Sequence, residues 1–140
     1  MERGIELQQI DVHQILLLNG CQAATVDVLA VTLREDDQPY LEGVSSSIEQ
    51  INIALYSLMD AINITGVGDA ATRLRARSGR VYFRQASEAA RKAQGYVRQL
   101  SDNCVPEQYL PQQREAVMMT IDSLNDMLST CIILLDRRAE

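Results

Sequence analysis

From Leu41 to Ile62 the apolar side chains Leu41, Val44, Ile48, Ile51, Leu55, Leu58 and Ile62 recur at steps of three, four, three, four, three and four. That spacing holds all seven on one stripe of an α-helix, in the alternation of a coiled-coil seam. At 1.5 Å per residue the stripe runs roughly 32 Å. Apolar surface of that length cannot remain in water, so other helices must cover it.

The rest of the chain supplies candidates. Between Ile5 and Leu33 the residues Ile10, Leu17, Cys21, Ala24, Val28 and Val31 share a helical face, with Gln14 at the remaining seam position. Ile15, Leu16, Leu18, Val26 and Leu29 widen the face, which predicts cover on more than one side. Asn19-Gly20 marks a place where this helix can kink or break. Arg34 to Gln38 forms a polar connector, and Pro39 suits the first turn of the next helix, where a missing N–H costs nothing. Asp36 and Asp37 lie just ahead of that helix's positive end.

The central helix ends near Asn63, and Thr65-Gly66-Val67-Gly68-Asp69 is a turn with Asp69 as a candidate N-cap. Gly66 to Ala71 also fits the pattern G-x-G-x-x-A. A dinucleotide site needs that loop to follow a strand in a βαβ unit. A heptad helix precedes it here, so it reads as a helix connector.

A third helical region spans 70–100, with a possible interruption at Ser78-Gly79 and a thin seam of Tyr82, Ala86, Ala89, Ala93, Tyr96 and Leu100. Ser101 to Pro106 closes it. The last helix begins at Pro106 or Pro111 and carries Val117, Ile121, Leu124, Leu128, Cys131 and Leu135. Arg137 and Arg138 sit near its negative end. The pattern predicts an all-α fold: a single domain over 1–140, an antiparallel up-down bundle of about four helices with coiled-coil-like seams.

Composition agrees with helix-on-helix packing. The chain is 46% apolar yet holds one Phe, no Trp and five Tyr, so its core is built from Leu, Ile, Val, Ala and Met. The wide apolar arc of the first helix, added to full seams on two others, leaves surface over and predicts a homodimer. Three cysteines, at 21, 104 and 131, are too scattered for a CxxC pair or a zinc ribbon. Sparse, odd cysteines and an N-terminus without a secretory pattern suggest the cytoplasm. Val12 to Val26, interrupted by His13, Gln14, Asn19 and Gln22, reads as too short and too polar for a membrane span.

Charge changes the picture most. The net charge is −6, but it is segregated. Residues 1–72 set two arginines against eleven carboxylates, a net of −9. Residues 73–98 hold seven arginines and Lys92 against Glu88 alone, a net of +7, and residues 99–140 return to −4. Arg73, Arg77, Arg80, Arg84, Arg91 and Arg98 follow heptad spacing, so a continuous helix aligns them in one ridge away from the alanine seam. A ridge of guanidinium groups suits bidentate recognition of carboxylate or phosphate. The plainer alternative is a solvated face partly neutralised by the chain's own acidic helices.

No catalytic constellation emerges. His13 is the single histidine, with no carboxylate three or four residues away, and neither a Ser–His–Asp nor a Cys–His set can be assembled. Asp122 and Asp126 share a helix face, but inward Glu and Glu-x-x-His pairs, the usual helical di-metal ligands, are lacking. Met118, Met119 and Met127 read as core filling. Cys21 and Cys131 fall on seams and are expected to be buried, with Cys104, in a connector, the reactive thiol.

These readings converge on a non-enzymatic, cytoplasmic docking protein without cofactor, metal or membrane partner. Its expected contact residues are Arg77, Arg80, Arg84, Arg91 and Arg98, and its expected partner an acidic protein surface. Nucleic acid is the alternative occupant of the ridge. Salt dependence separates the two, since binding through many phosphates weakens steeply as salt rises.

Overall fold

The computed structural model describes the backbone of residues 2–64 and 69–139, and the side chains of residues 12–60 and 80–139. Within them the chain forms four long helices: α1 (Glu2–Thr32), α2 (Gln38–Ile64), α3 (Asp69–Asn103) and α4 (Pro111–Ala139). Short 3₁₀ turns, Glu35–Asp37 and Pro106–Gln108, precede α2 and α4. The expected Thr65–Gly68 turn, the seam positions Ile10 and Ile62, and the side chains of Arg73 and Arg77 lie outside what is described.

Each helix packs on its neighbours in order, and α1 closes the ring against α4. The core divides into two layers that prove the up-down alternation. One joins Val26, Leu29 and Leu33 to Leu41, Val44, Val97, Leu100, Val117 and Ile121. The other joins Val12 and Ile15 to Leu55, Leu58, Phe83, Ala86, Cys131 and Leu135. The C-terminal half of α1 thus meets the start of α2, the end of α3 and the start of α4, an all-α antiparallel bundle as the seams predict.

The seams of α2 and α4 are buried along their described length, Leu41 to Leu58 and Val117 to Leu135. Helix α1 is different. Its expected seam residues Leu17, Cys21, Ala24, Val28 and Val31 all face solvent. The buried stripe is Val12, Ile15, Asn19, Gln22, Val26, Leu29 and Leu33. Bulk explains the choice: five branched aliphatic side chains fill the bundle better than three accompanied by Cys21 and Ala24.

Two amides are buried as a result. The Asn19 side chain donates to the Ile48 carbonyl at 3.2 Å and to Asn52 Oδ1 at 2.7 Å, fixing α1 against α2. Those bonds reach across to another helix and do not compete with its own ladder, so α1 continues unbroken through Asn19-Gly20. Helix α3 likewise runs unbroken through Ser78-Gly79.

On α3 the buried face is Phe83, Ala86, Ala90, Ala93, Val97 and Leu100, one position round from the expected stripe. The alanines serve either phase, and the larger Phe83 and Val97 decide between them. Tyr82 is half-buried, and Tyr96 keeps 39% of its surface in solvent.

Candidate functional site

The ridge stands on α3 about 130° round from the buried face, at 100° per residue. Arg80, Arg84, Arg91 and Arg98 are all exposed, and an unbroken α3 keeps them aligned. Arg80, Arg84 and Arg98 have no ion-pair partner among the described residues. Arg91 does. Its guanidinium donates to Asp136 Oδ2 on α4, while Ser87 donates to Asp136 Oδ1, so one carboxylate clamps two residues of α3. The ridge is therefore neutralised at one point by the chain's own acid, as the plainer alternative expects at that position. The Arg77 side chain lies outside the described residues.

Beside the ridge, a polar groove of about 320 Å³ runs between α3 and α4. Arg98, Asp102 and Asp122 line it together with Gln94, which donates to Ser129 at 2.8 Å and to Asn125 at 3.3 Å. Asp122 and Asp126 both face solvent. Carboxylates flanking Arg98 and Arg91 break any continuous track for a phosphate backbone. They leave separate guanidinium groups, better matched to carboxylates placed at intervals.

The other candidate side chains are dispersed. His13 is exposed in the N-terminal half of α1. Among the described residues no three His, Cys, Asp or Glu side chains gather as a metal ion requires. Met118 and Met127 are partly buried, but Met119 is exposed, which corrects its assignment to the core.

The thiols exchange the places expected of them. Cys21 is exposed, whereas Cys104 is buried where the two connectors at one end of the bundle meet. Burial chiefly, with the nearby Asp37 charge, pushes the Cys104 thiol up. Beside it the Tyr109 hydroxyl donates to the buried Asp37 carboxylate and accepts from the Arg34 backbone N–H at 3.0 Å. Burial and the bond to Asp37 raise the phenol far above its ordinary range. Arg114 adds a tie by donating through Nε to the Pro106 carbonyl at 2.8 Å. Sequence alone reads Asp37 as a solvated connector residue, because its partner Tyr109 lies seventy-two positions away.

Val12–Thr32 and Pro111–Ala139 are long and apolar enough, by length and composition, to cross a membrane. For α1 this corrects the shorter count ending at Val26: the apolar run continues to Thr32 with Asp27 as its one charge. Both helices also supply core residues to the bundle. Comparison with known protein families, curated proteins and solved structures finds no match to this chain.

Proposed function

We propose that the protein is a non-catalytic, cytoplasmic docking bundle whose arginine ridge engages an acidic surface on a partner protein. The observation that carries this reading is the trio Arg80, Arg84 and Arg98, exposed, aligned and without an ion-pair partner among the described residues, on a chain of net charge −6. Exposed guanidinium groups on an acidic protein are available for bidentate bonds to carboxylates, and the chain's near-lack of lysine favours that geometry. Arg91 and Arg77 extend the same line. A homodimer belongs to the same reading, since the bundle leaves apolar surface uncovered.

The test is fluorescence anisotropy with two probes, a labelled peptide rich in Asp and Glu and a labelled DNA duplex. Wild type is expected to bind the peptide, and Arg84→Glu with Arg98→Glu to abolish binding. The corresponding lysine substitutions should weaken it, because an ammonium cannot form the two-pronged bond. Both positions are exposed, so the fold should lose no more than ~1 kcal/mol. Tight duplex binding with a steep salt dependence would instead favour nucleic acid.

A further inference from the structure

Helix α1 carries two heptad stripes on nearly opposite faces. Val12, Ile15, Asn19, Gln22, Val26, Leu29 and Leu33 step by three and four and are all buried. Leu17, Cys21, Ala24, Val28 and Val31 step by four and three and all face solvent, Leu17 at 73% and Val31 at 84%. The inward stripe contains two amides. From Leu17 to Val31 the outward stripe contains no polar side chain, and the exposed Gln14 bounds it at the preceding seam position. A helix that turns a face with two amides inward and a seam that is apolar from Leu17 to Val31 outward has the pattern of one packed on both sides.

We infer that this outward seam is the contact face of a homodimer, with α1 of one copy lying against α1 of a second. The assignment rests on the homodimer reading above and locates it.

Three observations favour a second copy as the occupant. The first is area. Leu17, Cys21, Ala24, Val28 and Val31, with the exposed Met119 across the groove, present on the order of 500 Å² of apolar surface, so two copies bury about 1,000 Å², the lower bound for a specific interface. That groove, about 430 Å³ between α1 and α4, is lined by Ala24, Thr25, Val28, Met119, Thr120 and Ser123 and gives the edge of a second helix somewhere to seat.

The second is self-complementarity. An antiparallel pair with its two-fold axis between Cys21 and Ala24 sets Leu17 of each copy against Val28 of the other. The small residues Gly20, Cys21 and Ala24 then fall at the centre, where crossing helices approach most closely.

The third is charge. From Val12 to Leu33 the helix has one charged residue, Asp27, at the edge of the seam. The antiparallel arrangement separates the two copies of it along the axis. A bilayer is a poorer cover: residues 1–72 are net −9, and an acidic surround repels the anionic headgroups that basic residues would attract.

The experiment uses the full chain. Sedimentation at micromolar concentration is expected to return twice 15.6 kDa for wild type. Leu17→Asp with Val28→Asp should return a monomer of unchanged helicity, because both side chains are exposed within one copy. Ile53→Asp, at an exposed position on α2 outside the α1 seam, should leave the dimer intact. In wild type, alkylation of Cys21 should be roughly tenfold or more slower above the dissociation constant than below it, since a covered thiol is shielded from reagent.

A monomeric wild type overturns both the homodimer and this assignment. A dimer that survives the double substitution, or Cys21 reactivity indifferent to concentration in a dimeric protein, overturns the assignment alone. Should the double variant unfold, the concentration dependence of Cys21 alkylation in wild type decides the question. Binding of a monomeric wild type to phosphatidylcholine–phosphatidylglycerol vesicles, with Cys21 shielded by lipid, would make a bilayer the cover and end the proposal.

Discussion

The ring of Tyr96 lies directly over Gly43, so close that a β-carbon on Gly43 would fall 2.5 Å from Tyr96 Cδ1. Glycine inside a helix costs about 1 kcal/mol relative to alanine, and here it makes room for a ring that lets α2 and α3 approach closely. Gly43→Ala should therefore destabilise the protein by about 1–2 kcal/mol, the overpacking penalty exceeding the gain in helix propensity. Once Tyr96→Ala has removed the ring, the same substitution should stabilise by its propensity alone. Urea unfolding of the four proteins in this cycle checks the reversal of sign. A glycine effect of equal size in both backgrounds would mean the ring does not rest on α2.

The second prediction concerns the bundle end where both 3₁₀ turns meet. Tyr109→Phe keeps the buried ring but removes the hydroxyl that Asp37 accepts from and that Arg34 N–H donates to. A buried carboxylate then loses its partner, at a cost of about 2–3 kcal/mol. Tyr56→Phe, at an exposed position, should be neutral. Equal midpoints for the two variants in denaturant would show that the Tyr109–Asp37 bond contributes nothing to the end of the bundle.

Gln22 offers a change in the opposite direction. Its side chain is fully buried, and neither Nε2 nor Oε1 has a hydrogen-bond partner. The nearby Cys131 thiol feels the amide only enough to moderate its own rise. Gln22→Met keeps the length of the side chain and removes both unmet groups, and should stabilise by about 1–2 kcal/mol at a fixed protein concentration. A loss of stability would mean that the amide is bonded within the bundle.

These residues also show how far the sequence could be read. The stripes of α2 and α4 were legible because each helix has one apolar face, so spacing alone names Leu55 or Leu128 as core. Helix α1 has two, and spacing cannot rank them. The seam containing Leu17 is the purer, but side-chain volume sets Val12, Ile15 and Leu29 inward with the two amides. On α3 the alanines blur the phase, and the cavity over Gly43 that takes Tyr96 belongs to another helix. The ridge was legible as a line of arginines. The Arg91–Asp136 pair was not, because forty-five residues separate its members. The exposure of Cys21 and the burial of Cys104 follow from the same long-range packing.

The last prediction follows Cys131, which lies fully buried against α1. Burial pushes its thiol from an ordinary 9.0 up to about 11. A raised acid pKa means that the folded state favours the neutral thiol. The resulting stability is complete below pH 9, where the unfolded chain also keeps the proton, and it disappears as pH rises through about 11. A shift of that size corresponds to about 3 kcal/mol lost across the window. Cys131→Ala leaves a small cavity that lowers stability at every pH, but it removes this titration. Unfolding free energies measured from pH 8 upward should therefore fall more steeply for wild type than for the variant. Cys104 and Tyr109 titrate in both proteins and cancel in the comparison. Parallel curves would mean that the Cys131 thiolate is solvated in the folded state, which its position between Leu128 and Leu135 on the buried stripe of α4 forbids.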